Sequence, residues 1–192
     1  MNKQQKEELV KGILQAIGEN PEREGLQGTP DRVVRMWNEI FKGYDPSQKP
    51  KPALFKNGQD GLVYNQMIID TGDFYSHCEH HMVPFFGQYW FAYIPDKNSN
   101  IIGLSKVARI VDYHAAKLQI QERLVHDVIE DIWSILCKDA ERPVGMGLMM
   151  KGEHLCKTMR GVKKKGQMTT IELKGAFLDN PMVKSEFLQR CV

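Results

Sequence analysis

The sequence predicts a single α+β unit in which antiparallel strand hairpins flank a pair of helices. Two observations support this prediction. The 192 residues suit one domain with one core, since domains cluster near about 100–150 residues and divide above about 250. The apolar patterns follow the order helix, helix, strand, strand, helix, helix, strand, strand, helix, which is typical of α+β proteins. A hydrophobic content of 42% excludes a chain that is disordered throughout.

Two amphipathic helices are predicted in the first part of the chain. Apolar residues recur at helical spacing between Lys and Glu residues over positions 3–19 and predict the first helix. Thr29 as N-cap and Pro30 at the first helical position predict the start of the second helix. This second helix is expected to end at Gly43, and its exposed face carries Arg32.

A change of composition separates these helices from the rest of the chain. Pro, Lys, Gln, Gly and Asp dominate positions 44–61, which is typical of an irregular linker. We therefore divide the chain into an N-terminal helical segment with its linker, residues 1–60, and a catalytic domain, residues 61–192. Alternating and β-branched residues then predict strands over positions 62–70 and 85–94.

A helix pair and a second hairpin complete the predicted domain. Ser105 is the expected N-cap of the first helix of the pair, and apolar residues at helical spacing predict the second helix over positions 120–137. Alternating residues predict strands over positions 144–150 and 171–177. A short helix is expected over positions 182–189, so the helix pair lies between the two hairpins.

Charge and cysteine usage limit the class of partner and the compartment. The 26 Lys and Arg residues nearly balance the 24 Asp and Glu residues, and this small net charge predicts no recruitment by nucleic acid or an anionic membrane. Positions 1–12 are polar and no run of about 18 apolar residues follows, so neither a signal peptide nor a membrane span is expected. The cysteines are widely spaced, which favours reduced thiols and a cytoplasmic protein. They are Cys78, Cys137, Cys156 and Cys191.

Each predicted hairpin loop contains a group of Cys and His residues. Cys78 and His81 are separated by two residues, a spacing at which one turn presents two ligands to zinc, and Cys156 could supply a third. Three protein ligands leave one coordination position open, which indicates a catalytic rather than a structural site. Spacing alone leaves the choice of ligand among His80, His81 and His154 open, and the remaining histidines would be acid–base groups. The competing interpretation is a pair of reduced thiols beside solvated histidines.

Charged residues near two predicted helix starts indicate where an anion and a nucleobase could bind. Ser105, Lys106 and Arg109 open the helix pair, and a helix N-terminus with adjacent cations suits a phosphate, although such cations more often form a solvated face. Arg160 lies in a basic loop after the second Cys–His group. Glu122 begins the long helix, where a first-turn Glu is ordinary, but a buried carboxylate would accept the paired N–H donors of guanine.

Four separated motifs stand in order along the chain. They are Cys-Glu-His-His at 78–81, Gly-Leu-Ser-Lys at 103–106, Gln-Glu-Arg at 121–123 and His-Leu-Cys-Lys-Thr-Met-Arg-Gly at 154–161. Shorter segments add Gly-Glu-Asn-Pro at 18–21, Glu-Gly-Leu at 24–26 and Thr-Pro-Asp-Arg-Val at 29–33. Together these motifs resemble GTP cyclohydrolase I. The resemblance covers nearly the whole chain, and the shared order makes it specific.

The resemblance implies a tunnelling fold whose subunits assemble into a ring, as a decamer of two pentamers with active sites at subunit interfaces. It implies one zinc ion per subunit, held by Cys78, His81 and Cys156. On the same grounds, His80 and His154 would transfer protons. The implied reaction is hydrolysis of GTP at purine C8 to formate and 7,8-dihydroneopterin triphosphate, the first step of tetrahydrofolate, other pterin or deazaguanine biosynthesis.

The resemblance also assigns residues to each part of GTP. Glu122 would anchor guanine, with Gln121 near it, and Ser105 would approach the ribose. A carboxylate at this place favours guanine over adenine, because adenine lacks the N1–H and 2-amino donors. The cations that would face the triphosphate are Lys106, Arg109, Arg160 and Arg32.

Two segments depart from the family pattern. Ala-Lys-Leu at 116–118 stands where an Arg-Pro pair is usual, and Met-Thr-Thr-Ile-Glu at 168–172 replaces a Thr- and Ser-rich segment that is one residue longer. We hypothesise that the chemistry at C8 is unchanged and that binding at the phosphate end is altered. Two alternative functions stay open. One is a tunnelling-fold nitrile reductase with a nucleophilic Cys and a nicotinamide cofactor, and the other is a zinc-stabilised ring protein that binds nucleotides without cyclohydrolase activity.

Overall fold

The structure, a computed structural model, describes residues 1–137 and 142–191. Its helices are α1 (Lys3–Ala16), α2 (Thr29–Ile40), α3 (Leu104–Ala115), α4 (Gln121–Leu136), α5 (Leu155–Thr158), α6 (Ala176–Asp179) and α7 (Pro181–Arg190). Its strands are β1 (Leu54–Lys56), β2 (Ile68–Cys78), β3 (Pro84–Ile94), β4 (Asn100–Ile102), β5 (Leu118–Gln119), β6 (Gly145–His154) and β7 (Gln167–Gly175). Turns of 3₁₀ helix lie at Glu24–Leu26, Lys42–Tyr44 and Pro46–Gln48. In the described ranges, no helix combines the length and the apolar content that a membrane crossing needs.

A mixed sheet with helices on both faces forms the core. The strands lie in the order β5-β2-β3-β6-β7, and β5 runs parallel to β2 while the other neighbours pair antiparallel. Side chains of β3 alternate between the faces. Tyr89 and Phe91 join the cluster formed with α3 and α4, whereas Trp90 and Ala92 pack with Phe177 on the other face. The predicted order, with two hairpins flanking a helix pair, is therefore confirmed.

The N-terminal helices reach the sheet domain through a close backbone contact. The Gly43 N–H donates to the Ala116 carbonyl at 3.0 Å, and a Cβ on Gly43 would lie 2.2 Å from the Tyr113 carbonyl oxygen. Glycine allows this approach because it has no side chain. The predicted linker is also partly ordered into structure, since β1 pairs antiparallel with β4. The division of the chain at residue 60 stays a prediction.

The first long strand lies later in the chain than the prediction of 62–70. β2 begins at Ile68 and continues to Cys78. The Asn57 side chain accepts a hydrogen bond from the Tyr64 N–H at 2.9 Å and donates one to the Tyr64 carbonyl at 2.7 Å. These bonds satisfy the Tyr64 backbone outside any strand ladder. At its other end the strand includes Cys78, which the sequence places in a loop.

Two predicted N-caps and the bounds of the last predicted strand are wrong. Gly28 and Gly103 are the N-cap residues of α2 and α3. Thr29 and Ser105 therefore lie inside these helices and cap neither, because their own backbones already take part in the first turn. The last predicted strand starts earlier than expected and ends at Gly175, whose φ of 57° turns the chain into α6.

A largely buried carboxylate joins α4 to α3 and to the N-terminal segment. Asp131 accepts a hydrogen bond from His114 Nε2 at 2.9 Å and pairs with Lys49 Nζ at 2.8 Å. Burial alone would raise the pKa of Asp131, but the bonds from His114 and Lys49 outweigh it and hold the pKa below its usual value. The ionised form is therefore the one that the fold stabilises.

We expect Asp131→Asn to lower the free energy of unfolding by about 1–3 kcal/mol at neutral pH, because it weakens two charged hydrogen bonds. Since the folded-state pKa is depressed, the contribution of the carboxylate is fully present above its unfolded-state pKa of about 3.9 and is lost as the pH falls through the folded value. The difference between the two proteins should therefore shrink below about pH 4. Thermal unfolding at fixed protein concentration measures it, and equal melting temperatures at neutral pH would contradict the role of this group.

Candidate functional site

Two hairpin turns meet at one end of the sheet. β3 pairs with β6 in a register that sets Phe85 opposite His154. The turn after β2 closes with a hydrogen bond from the Met82 N–H to the Cys78 carbonyl at 2.8 Å. Because α5 begins directly after His154, the register of the sheet brings Cys156 beside this turn.

Cys78, His81 and Cys156 form the candidate metal centre. Their ligand atoms all lie within 4.8 Å of one another, with Cys78 buried and His81 exposed. Zinc–ligand bonds of about 2.0–2.3 Å at tetrahedral angles separate ligand atoms by about 3.5–3.8 Å, so the cluster fits the ion with little movement. Two thiolates and an imidazole are a donor set that suits zinc. The structure thus brings the three predicted ligands together, and they leave one tetrahedral position for another group.

Neighbouring groups act on the charge of this cluster. Burial and the adjacent Cys78 thiol raise the pKa of Cys156, and Arg160 opposes the shift. The neighbouring thiol disfavours ionisation of Cys156, and a bound cation would favour it. Arg160 also donates a hydrogen bond to His81 Nε2 at 2.8 Å, and His80 Nδ1 lies 3.6 Å from Cys78 Sγ. The basic loop after α5 therefore turns back onto the metal centre.

His154, the last residue of β6, lies beside the metal centre and is held on two sides. Its ring stacks on Phe85 with centroids 4.5 Å apart and an interplanar angle of 7°. Its Nε2 lies 3.0 Å from Gln121 Oε1. Burial lowers the pKa of His154, Glu122 opposes this shift, and Lys157 adds to it. Burial therefore favours the neutral imidazole, and the contacts with Phe85 and Gln121 fix its orientation, as a proton-transfer group requires.

Gln121, the first residue of α4, has no exposed surface. Its Nε2 lies 3.0–3.1 Å from the Met150 carbonyl, the Met168 carbonyl and the Thr170 hydroxyl. A side chain that touches a nucleobase needs free polar atoms. The polar atoms of Gln121 already bond to other protein groups, so its surroundings do not match that expectation. Residues 168–172, the segment that differs from the family pattern, thus contact Gln121 in the folded chain.

Glu122 follows Gln121 in the first turn of α4 and is exposed. The next residue, Arg123, binds Glu79 of the metal-binding turn with distances of 2.5 and 3.1 Å. The buried carboxylate considered from the sequence is therefore not found within one chain. Burial of Glu122 would have to come from a bound base or from a second subunit.

The residues expected to bind ribose and triphosphate lie on three elements. Ser105, Lys106 and Arg109 lie on α3, Arg32 lies on α2, and Arg160 follows α5. Arg160 contacts the metal centre, whereas in the described ranges no hydrogen bond or ion pair links the other four side chains to it. Of these five residues, Arg160 is thus the one whose side chain bonds to the metal centre within the described ranges.

Phe85 and Thr170 are parts of the site that sequence reasoning missed. Phe85 is predicted only as the first residue of a strand, and Thr170 only as part of a departing segment. Both reach the site through strand pairing, since Phe85 faces His154 across β3 and β6 and Thr170 faces Met150 across β6 and β7. Register depends on contacts between distant segments, so no local pattern indicates either role.

The chain is similar to curated proteins along nearly its whole length. A family model described as GTP cyclohydrolase I matches residues 6–192. A GTP cyclohydrolase 1 of Caldanaerobacter subterraneus subsp. tengcongensis is 42% identical over 189 residues, which are 98% of this chain and 96% of the relative. A GTP cyclohydrolase 1 of Leptospira biflexa serovar Patoc is 42% identical over 185 residues, which are 95% of each chain. Among solved structures, an archaeosine synthase QueF-Like in the apo form aligns with a TM-score of 0.44 at 15% identity, over 57% of this chain and 93% of that chain.

Proposed function

Because the chain belongs to the GTP cyclohydrolase I family, we propose that it is a zinc-dependent enzyme that hydrolyses GTP at purine C8. The products are formate and 7,8-dihydroneopterin triphosphate. One observation carries the proposal: the ligand atoms of Cys78, His81 and Cys156 lie within 4.8 Å of one another, beside the oriented imidazole of His154. A metal next to a proton-transfer group is the combination that hydrolytic opening of a purine ring requires.

Cys78, His81 and Cys156 would hold one zinc ion per subunit. When bound, zinc supplies Lewis-acid chemistry that activates water near neutral pH. Cys78 ends a strand of the sheet and is buried, so it fixes one side of the centre. Glu79, the next residue, is tied to α4 by Arg123, and this ion pair holds the turn that carries His81.

His154 and His80 are proposed to move protons on the purine. Protonation at N7 makes C8 more electrophilic, and an imidazole can deliver and recover such protons near neutral pH. The contacts of His154 with Phe85 and Gln121 keep its ring in one orientation. His80 is exposed, with its Nδ1 3.6 Å from Cys78 Sγ. These surroundings suit His154 to transfer a proton to or from the purine in one fixed orientation. They suit His80 to exchange protons with water.

The remaining site residues are proposed to bind GTP. Glu122 would accept hydrogen bonds from N1–H and the 2-amino group of guanine, which adenine cannot offer. Ser105 would approach the ribose. The cations proposed to face the triphosphate are Lys106, Arg109, Arg160 and Arg32, and Arg160 supports this assignment because it already reaches the metal centre.

We propose that neighbouring subunits complete the site in a ring-shaped decamer of two pentamers with the tunnelling fold. Glu122 is exposed, although recognition of a guanine edge by a carboxylate gains most from a buried setting. Within the described ranges, no hydrogen bond or ion pair ties Ser105, Lys106 or Arg109 to the metal centre of the same chain, and these residues are proposed to serve the metal centre of a neighbouring subunit. Sedimentation of the purified protein as a monomer would contradict this assembly.

Incubation of the purified protein with GTP and with dGTP tests the proposed reaction. Formate and the fluorescence of the oxidised pterin should appear together. A chelator should suppress both until Zn²⁺ is restored, because the ion held by Cys78, His81 and Cys156 would supply the Lewis-acid chemistry. Binding of zinc and guanine nucleotide without formate would instead support a ring protein with no catalytic activity. Absorbance of a covalent thioimide with a nitrile-bearing deazapurine, in protein without zinc, would support the nitrile reductase.

We place this activity in the cytoplasm, at the first step of tetrahydrofolate, other pterin or deazaguanine biosynthesis. The cysteines support the compartment, because Cys78, Cys137, Cys156 and Cys191 are all free thiols, which a reducing environment maintains. The pathways share the same pterin triphosphate as their starting compound. The enzyme that consumes this product in the native cell would therefore decide between them.

A further inference from the structure

We infer that Gln121 is a positioning residue that acts through His154, rather than a residue that contacts guanine. Its buried amide would hold the His154 ring as the Nε2–H tautomer and leave Nδ1 as the atom that accepts a proton. The Thr170 hydroxyl would bond to this amide, and Gly152 would leave the space that the amide fills. The consequence for turnover rests on the proposed function, whereas the tautomer itself is a property of the fold.

The surroundings of Gln121 determine which end of its amide faces His154. The Nε2 end lies 3.1 Å from the Met150 carbonyl and 3.0 Å from both the Met168 carbonyl and Thr170 Oγ1. Backbone carbonyls accept hydrogen bonds and cannot donate them. A flipped amide would therefore place its oxygen against two other acceptors, in a position with no access to water. The amide oxygen must face His154.

This orientation determines the tautomer of His154. Gln121 Oε1 lies 3.0 Å from His154 Nε2, and an amide oxygen is an acceptor without a proton to give. The Nε2 atom must therefore carry the hydrogen, since the other tautomer would set two lone pairs against each other. A neutral imidazole carries one N–H, so the hydrogen on Nε2 leaves the lone pair on Nδ1. The opposite nitrogen is then the proton acceptor of the site.

The space around the Gln121 amide is shaped for it. A Cβ added at Gly152 would lie 2.4 Å from Gln121 Oε1 and 3.1 Å from Phe74 Cζ, so any larger residue there would displace the amide. Gln121 itself is fully buried within one chain, and assembly into an oligomer can only cover it further. A ligand therefore has no route to this amide, and its influence passes through the ring of His154.

None of these residues is a proposed zinc ligand, which separates this inference from the metal chemistry. Gln121→Met keeps the approximate volume and removes the amide. It should retain zinc and leave KM for GTP within about twofold, while kcat falls by about 10- to 100-fold, the usual cost of losing an orienting partner. Thr170→Val should lower kcat less and Thr170→Ser should restore it, because serine keeps the hydroxyl. The exposed strand residue Thr71 provides the matched control Thr71→Val, which should match the unmodified protein.

Solid-state ¹⁵N spectra of histidine-labelled protein test the tautomer in the unmodified protein, with one variant used only to assign the signals. The His154 signals, assigned by their loss in His154→Gln, should show a protonated Nε2 and an unprotonated Nδ1. A protonated Nδ1 in the unmodified protein would overturn the inference whether or not formate is released. Unchanged kinetics of Gln121→Met, or a raised KM with unchanged kcat, would also overturn it while formate release by the unmodified protein upheld the proposed reaction. Failure of the unmodified protein to release formate would count against the proposed reaction alone.

Discussion

Cys156→Ala is expected to abolish formate release and zinc retention together. The three ligand atoms of the metal centre lie within 4.8 Å of one another, and the substitution removes one of the two thiolates that would bind the ion. Zinc binding requires the full ligand set, and activation of water requires the zinc. Formate release should therefore fall by more than about 1000-fold, and the metal content of the purified protein should fall with it.

Cys137→Ala is the matched control for this substitution. Cys137 is half-buried at the C-terminal end of α4. Burial raises the pKa of its thiol, which disfavours the thiolate form that binds metals, and Cys137 is not one of the three proposed ligands. This variant should keep both zinc and activity. Zinc content and formate release are measured on the same preparations of both variants. An active Cys156→Ala protein without zinc would contradict the assignment of the metal centre.

Glu122→Gln is expected to lower kcat/KM for GTP by about 10- to 150-fold. A carboxylate accepts hydrogen bonds from both N1–H and the 2-amino group of guanine, whereas a primary amide offers one acceptor and sets its own N–H against a donor. A hydrogen bond to a charged group contributes about 1.5–3 kcal/mol, and about 1.4 kcal/mol is a factor of ten. The loss should appear mainly in KM if the base binds equally well in the ground state and the transition state.

Glu130→Gln serves as the comparison for Glu122→Gln. Glu130 lies on the same helix and pairs with Lys174 at 2.5 Å, outside the proposed site. The same loss of charge there should leave kcat/KM for GTP within about twofold. Steady-state assays with GTP and ATP measure both variants. A Glu122→Gln protein with the unmodified kcat/KM for GTP would remove this residue from guanine recognition.

Much of the fold was predictable because it follows from local patterns. The helix that begins at Gln121 and the strand that ends at Ile94 were expected within one residue of their observed ends. Both show a strong periodicity that short-range sterics and burial impose. The strand predicted over 62–70 was wrong because the Asn57 side chain, seven residues away, hydrogen-bonds to both the N–H and the carbonyl of Tyr64. The periodicity of apolar residues does not indicate a contact that one polar side chain makes across a turn.

The candidate metal ligands could also be proposed from sequence, because their chemistry depends on residue type. Thiols and imidazoles bind zinc in any fold, and a separation of two residues between Cys78 and His81 lets one turn present both. Cys156, in the other hairpin, could be proposed as a third ligand only because it is a cysteine. The structure brings it to the same place by pairing β3 with β6, with Phe85 opposite His154.

The surroundings of each group came from packing and could not be inferred in this way. Glu122 is exposed in the chain and its neighbour Gln121 is fully buried, although both share one motif and were assigned together to guanine. A helix turns by about 100° per residue, so adjacent side chains face different environments, and only the elements packed around a helix settle which one faces the interior. Residue type and spacing thus indicated a metal, and the family resemblance implied a guanine-binding carboxylate, whereas the sheet register and helix packing determined the orientation of His154.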